Sequence, residues 1–163
     1  EKIFVDGELF LYLGNHYALR IYDGISVLLN KKEQQILFPR KFLVSRVVAK
    51  EKMIAFYKKM AQEVIEARAK RYAFMTGWHY RAFRITSATT RWGSCSGSGG
   101  INFTWRLVMA KEEVIDYVVV HELVHIHIKN HSRTFWNTVE TVIPLYKKHG
   151  SWLKENRGNL IWS

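Results

Sequence analysis

The sequence predicts an α+β fold in which N-terminal β-strands precede a long amphipathic helix and a central apolar helix. Three observations support this class. Turn dipeptides separate β-rich runs in the first 40 residues, and apolar residues recur every three or four positions from about 42 to 75. In the segment at about 111–127, valines and other apolar residues occupy nearly all sides of a predicted helix. The 163 residues are enough for one domain, with a β region at about 1–40 and a core region at about 80–163.

The composition is that of a basic globular protein. Hydrophobic residues make up 48% and charged residues 24%, which excludes a disordered chain. The 25 lysines and arginines exceed the 14 acidic residues, and the resulting net charge of +11 attracts polyanions such as nucleic acids. No recognition motif accompanies this charge, so a basic protein without a nucleic-acid partner is the alternative.

Nothing in the sequence indicates a membrane segment or a disulfide. No run approaches 18 uncharged apolar residues, and charges interrupt the first eight residues, where a signal peptide would need an apolar run. The chain begins with Glu1 rather than methionine, so its native N-terminus is not established. The single cysteine, Cys95, fits a reducing compartment. We therefore expect a cytoplasmic protein.

The first 40 residues predict β-hairpins. The runs 9–13 and 17–22 flank the turn-like pair Gly14-Asn15, and Asp23-Gly24 leads into a third run at 25–29. A fourth strand is expected at 35–38, just before Pro39.

The next segment predicts one amphipathic helix, or two in sequence, that ends near Gly77. Its outer face is basic, because it carries Lys50, Lys52, Lys58, Lys59, Arg68, Lys70 and Arg71. Such a face is either solvated or tracks the phosphates of a nucleic acid.

The remaining elements lead to the central helix. A strand is expected within 80–90, followed by a loop at 94–100 and a short strand at 101–105. The helix at about 111–127 has Glu112 and Glu113 in its first turn, where the helix dipole favours acidic residues. Because its apolar residues surround it almost completely, this helix is expected in the middle of the fold.

The central helix carries the pattern His121-Glu122-Leu123-Val124-His125. Residues four apart share a helix face, so His121 and His125 can bind one zinc ion while the carboxylate of Glu122 reaches its bound water. Leaving three polar side chains unpaired among valines would cost several kcal/mol, which a metal ion would relieve.

A third protein ligand is expected, and His131 is the first candidate. Lys129-Asn130 can turn the chain so that His131 returns over the metal, and Ser132 can then cap a new helix. The rival ligand is Glu140 on that helix. His127 points away from the face of the other two histidines, so it is excluded from the same site.

The combined motifs resemble a known family. They are Arg91-Trp92-Gly93-Ser94-Cys95-Ser96, Ile101-Asn102-Phe103, the segment from Ile115 to His125, Asn130-His131-Ser132 and Phe135-Trp136, and they are similar to the YgjP-like metallopeptidases. That family is grouped near the WLM and SprT-like proteases and has a zincin-like fold.

This resemblance implies a zinc-dependent peptidase. His121, His125 and His131 would be the ligands, and Glu122 would take a proton from water and deliver it to the departing amine. The residue that stabilises the charged carbonyl oxygen stays open among Tyr146, His149 and Arg133. Asp116 or Glu140 is expected to orient a ligating imidazole.

The substrate-binding surface is harder to predict. Gly100–Thr104, which includes Asn102, is either an edge strand that pairs with an extended peptide or an ordinary strand. Trp92 packs against the metal helix or lines the cleft, Arg91 can bind a carboxylate, and Cys95 is a buried thiol or a redox-sensitive one.

Two other functions are compatible with these residues. One is a nucleic-acid-associated protein, either a DNA-linked protease or a binding module, with a structural or vestigial metal site. The other is a metal hydrolase of non-peptide amides. A protein or peptide substrate is the expected partner, and the sequence does not specify an oligomeric state.

Overall fold

The computed structural model describes residues 1–162, which form seven β-strands and four α-helices. The strands are β1 (Leu9–Tyr12), β2 (Asn15–Tyr22), β3 (Leu28–Asn30), β4 (Gln35–Pro39), β5 (Ala82–Thr86), β6 (Gly93–Cys95) and β7 (Gly100–Thr104). The helices are α1 (Arg46–Thr76), α2 (Glu112–His125), α3 (Arg133–Val142) and α4 (Tyr146–Leu160). Short 3₁₀ segments, Arg40–Phe42 and Trp105–Met109, precede α1 and α2. The predicted α+β class is confirmed.

The N-terminal sheet contains two hairpins, but they are not arranged in succession. β1 and β2 pair around a turn at Leu13 and Gly14, whose φ angles of 49° and 80° suit a type I′ turn. β4 then lies between β2 and β3, parallel to β2 and antiparallel to β3. Burial explains this order, because Leu19 on β2 and Ile36 and Phe38 on β4 are all 0% exposed. The central positions therefore belong to β2 and β4.

The apolar spacing between residues 42 and 75 corresponds to one uninterrupted helix. Ser45 caps α1 by accepting a hydrogen bond from the backbone N–H of Val48, and Gly77 ends it with a φ of 76°. Most of the predicted basic residues, including Lys58 and Lys59, are exposed. No helix within residues 1–162 is both long enough and apolar enough to cross a membrane.

The second sheet has the order β5-β7-β6. Gly100–Thr104 pairs with β5 on one side and β6 on the other, so the prediction that it is an edge strand is wrong and the ordinary-strand alternative holds. The predicted loop at 94–100 begins with β6, a three-residue strand of Gly, Ser and Cys. A strand this short and poor in β-branched residues gives no recognisable pattern.

Helix α2 lies at the centre of the fold, as its valines predicted. Val119 and Leu123 are 0% exposed, and the helix packs against α1, α3, α4 and β6. The buried segment Trp105–Met109 leads into it and accepts two backbone hydrogen bonds from the turn between β1 and β2. The N-terminal sheet is thereby tied to the start of α2.

An ion network joins α1 to α2. The Nη1 atom of Arg68 donates to both carboxylate oxygens of Asp116 at 3.1 Å, and its Nη2 atom lies 2.8 Å from Glu112. The Arg68 and Asp116 side chains are 21% and 14% exposed. Asp116, a candidate for orienting an imidazole, thus binds an arginine of the neighbouring helix.

Replacement of Arg68 by alanine should destabilise the protein by about 1–3 kcal/mol, because it leaves the Asp116 carboxylate largely buried without a cation. Lys70→Ala is the matched control. It removes an exposed pair with Glu66 on the same helix and should change the stability by less than about 0.5 kcal/mol. Urea denaturation measures both, and equal losses would contradict the structural role of the network.

Candidate metal centre

Helix α2 positions the first three residues of the site. His121 and His125 lie one turn apart on the face of α2 that meets α3, and both are partly buried. Their ring centroids are 4.8 Å apart. Glu122, between them in sequence, is 3% exposed, so its carboxylate lies within the protein beside the two imidazoles.

The chain turns after α2 and brings a third imidazole back. The N–H groups of His127 and Ile128 both donate to the carbonyl of Val124, and Ser132 accepts from the N–H of Phe135 as the N-cap of α3, as predicted. One ligand atom each from His121, His125 and His131 lie within 4.8 Å of one another, so the three could hold a metal ion. His127 is exposed and lies near Trp78 instead.

Two aromatic rings of α3 support this triad. The ring of Phe135 is fully buried and stacks on that of His125, with 4.4 Å between the ring centroids. It meets the rings of His121 and His131 edge-on, with 5.0 Å between the centroids in each case. Trp136 stacks on His131 at 5.7 Å and, at 5.1 Å, on Tyr146. Packing against α3 therefore holds all three imidazoles, and helix α2 also holds those of His121 and His125.

Hydrogen bonds fix the rings further. Nδ1 of His125 donates to the carbonyl of Ile128 at 2.9 Å, which leaves the lone pair on Nε2. That Nε2 lies 3.0 Å from Nε2 of His131. Burial lowers the pKa of His131, and the neighbouring His121 and His125 lower it further. Both effects favour the neutral imidazole, which is the form that binds metals.

The carboxylate of Glu122 is held on one side only. Its Oε1 accepts from Nδ1 of His121 at 3.2 Å, while its buried Oε2 has no hydrogen-bond partner within residues 1–162. Its Cγ lies against Gly93 of β6, where an added Cβ would come within 2.9 Å of it. The glycine of the Arg91–Cys95 motif thus allows β6 to approach the metal-site helix closely.

The site opens into a cleft of about 750 Å³ between α2, α4 and the start of β6. Its wall includes Trp92, Tyr117 and Tyr146 beside His121 and Glu122. Burial raises the pKa of Tyr117, and Glu122 and Tyr146 raise it further, so this phenol keeps its proton. The cleft therefore presents aromatic surface and phenolic hydroxyls next to the buried carboxylate.

The other residues singled out from the sequence lie at varying distances from this cleft. Trp92 lines it, whereas Asn102 donates to Ser94 at 3.2 Å and lines a neighbouring cavity of about 250 Å³ that Trp92 shares. His149 and Arg133 are not among the residues that line the main cleft. Glu140 is exposed and stands outside the histidine group.

Cys95 is partly buried at the end of β6. Burial raises the pKa of its thiol, so the neutral form is favoured over the reactive thiolate.

Sequence reasoning missed two residues that shape the site. Tyr117 lies one helical turn before His121, and this four-residue spacing could have placed it on the same face. The contact of Phe135 with all three imidazoles had no sequence signal, because it depends on the angle at which α3 returns to α2.

A metallopeptidase of known structure has a similar fold. The crystal structure of the metallopeptidase zymogen abylysin from Pyrococcus abyssi is similar, with a TM-score of 0.51 and 23% identity over 56% of this chain and 93% of that chain. For the metallopeptidase zymogen jannalysin from Methanocaldococcus jannaschii, the TM-score is 0.43 and the identity 22%, over 47% and 79% of the two chains. None of the curated protein sequences matches the chain significantly.

The fold is therefore one that a known metallopeptidase also has. The YgjP-like metallopeptidase domain matches residues 1–156, and the chain belongs to that family. Membership implies a metal cofactor and a protein or peptide substrate.

Gly93→Ala should destabilise the protein by about 1–3 kcal/mol, because the new Cβ would meet Glu122, Phe103 and the backbone of Asn102 at 2.9–3.2 Å. Gly97→Ala, in the loop after β6, has nothing within 4 Å of its Cβ and should stay within about 0.5 kcal/mol of the parent protein. Chemical denaturation compares the two, and a neutral Gly93→Ala would show that β6 can move away from α2.

Proposed function

We propose that the protein is a zinc-dependent metallopeptidase in which His121, His125 and His131 hold the ion and Glu122 is the general base. The observation that carries the proposal is the position of Glu122. Its buried carboxylate lies beside three imidazoles whose ligand atoms lie within 4.8 Å of one another, and its Oε2 has no partner within residues 1–162.

The donor set fits zinc. Three neutral imidazoles leave one position of a tetrahedral ion open, which is typical of catalytic rather than structural zinc sites. The 3.0 Å between the Nε2 atoms of His125 and His131 is close to the separation of about 3.3 Å that two nitrogens have on a tetrahedral zinc ion. When bound, zinc would supply Lewis acidity and lower the pKa of a coordinated water towards about 7.

Glu122 then acts through its two oxygen atoms in different ways. His121 holds Oε1, which keeps the carboxylate in place, and Oε2 accepts the proton of the attacking water. The same carboxyl group later gives this proton to the departing amine.

Tyr146 is proposed to stabilise the carbonyl oxygen that gains charge during attack. Of the three candidates left open by the sequence, it alone lines the cleft together with Glu122. Its ring stacks on Trp136 at 5.1 Å, which holds the phenol in position.

The extended substrate is proposed to pair with β6. This strand is bonded to β7 on one side, and among the described strands it has no partner on the other. Its Gly93 lies against Glu122, so a peptide added to its free edge would lie next to the base.

Glu122→Gln should retain zinc and lower kcat about 10²- to 10⁴-fold, since an amide cannot accept the proton. Cleavage of unfolded casein by zinc-loaded protein measures turnover, and elemental analysis measures the metal. Glu140→Gln is the control, because that carboxylate is exposed on α3 and should not affect the rate. Turnover that persists in Glu122→Gln would exclude Glu122 as the base.

His131→Ala should weaken zinc binding at least about 100-fold, because one of three imidazoles is removed. His127→Ala, an exposed histidine four positions earlier, should leave the affinity unchanged. Competition titration with a chromogenic chelator gives both constants. Equal affinities for the two variants would remove His131 from the ligand set.

A further inference from the structure

The cleft beside the metal centre has an uneven charge. Four cationic side chains line it, those of Arg91, Lys147, Lys154 and Arg157, against the single carboxylate of Glu122. Within residues 1–162 none of the four has a carboxylate within the 4.0 Å of an ion pair, although other cationic residues of the chain do. Their charges are therefore available to a bound molecule.

This excess is a property of the cleft and not of every concave surface. The cavity beside the β1–β2 turn balances Lys31 and Lys111 against two glutamates. The cavity on the other side of α4 balances two lysines against Glu113 and Glu155. A chain with a charge of +11 has cationic residues over much of its surface, but in these two cavities the charges cancel and in the catalytic cleft they do not.

The floor between the cationic residues is apolar and aromatic. It is formed by Tyr117, Val118, Trp136 and Leu153. Arg157 is fixed at the rim, because its Nη2 donates to the carbonyl of Thr89 at 2.9 Å. The cleft thus offers an apolar surface for a large side chain and cationic groups around it for carboxylates.

We infer that the cleft selects acidic peptides, in which a large apolar residue is flanked by aspartate or glutamate. The inference rests on the proposed peptidase function and adds a substrate class to it. The aromatic floor binds the apolar side chain, and the unpaired cations bind the flanking carboxylates and attract the substrate from solution. A peptide with basic flanks meets four like charges in the same cleft.

Two peptides of equal length test this inference. They share one apolar centre and differ only in flanks of Asp and Glu or of Asn and Gln. Zinc-loaded Glu122→Gln is used for binding, measured by fluorescence anisotropy, so that the reading does not depend on turnover. The acidic peptide should bind about tenfold more tightly, and ionic strength of about 1 M should remove most of the difference.

Charge-neutral variants locate the effect. In the Glu122→Gln background, Lys147→Gln and Lys154→Gln should each reduce the preference about two- to fivefold. Lys58→Gln, on the exposed face of α1, should leave it unchanged. Equal binding of the two peptides, or a preference that survives both cleft variants, would overturn the inference.

Wild-type cleavage separates this inference from the proposed function. If both peptides are cleaved with the same kcat/KM, the peptidase function stands and the acidic preference is wrong. If acidic peptides bind selectively and none is cleaved, the peptidase function is wrong. If a single-stranded oligonucleotide binds more tightly than the acidic peptide and loses affinity in the same lysine variants, the cleft is a nucleic-acid site and the inference is overturned.

Discussion

The contact between Phe135 and the three imidazoles is the constraint on which the candidate metal centre depends. Its ring lies 4.4 Å from that of His125 and 5.0 Å from those of His121 and His131, and it is fully buried. Phe135 belongs to α3, so the contact fixes α3 and the turn before it relative to α2. Packing of this kind limits how far the three rings can move apart and so reduces the entropy that is lost when they bind an ion.

This arrangement requires that α2 itself does not move. The helix is covered by α1, α3, α4 and β6, and Arg68 of α1 holds its carboxylates at one end. The apolar surroundings supply the stability. Of the polar residues of α2, His121 and Glu122 face the cleft, whereas Glu112 and Asp116 face α1. Rigid elements therefore carry the candidate metal centre, while the loop that holds His131 is fixed by packing against α3.

Local patterns predicted α1, α2 and the start of α3, but they missed α4 and did not predict the order of the strands. The apolar periods located α1 and α2, and the Ser132 cap located the start of α3, because these signals depend on neighbours in sequence. The insertion of β4 between β2 and β3 depends on contacts between distant residues, which no local pattern records. The motif on α2 identified which residues to consider at the site, and His131 does return to His121 and His125. It does so without the left-handed backbone that was expected at Lys129-Asn130, because neither residue has a positive φ. The cleft wall formed by α4 had no motif and became visible in three dimensions alone.

The arrangement around Glu122 is difficult to explain by stability. A buried carboxylate with a free oxygen is unfavourable, and a glycine in strand β6 contributes no side chain to the core. Stability alone would favour an apolar residue at position 122 and a larger residue at position 93 in a strand that lay farther away. Both features leave the carboxylate of Glu122 positioned and free to react. The absent Cβ of Gly93 allows β6 to lie against Glu122, while Oε2 stays available. A local cost of this kind at the centre of a well-packed fold is typical of a site arranged for chemistry. The two readings of the Arg91–Cys95 motif, packing and cleft, are therefore not exclusive, because the close packing of β6 on α2 is what forms this wall of the cleft.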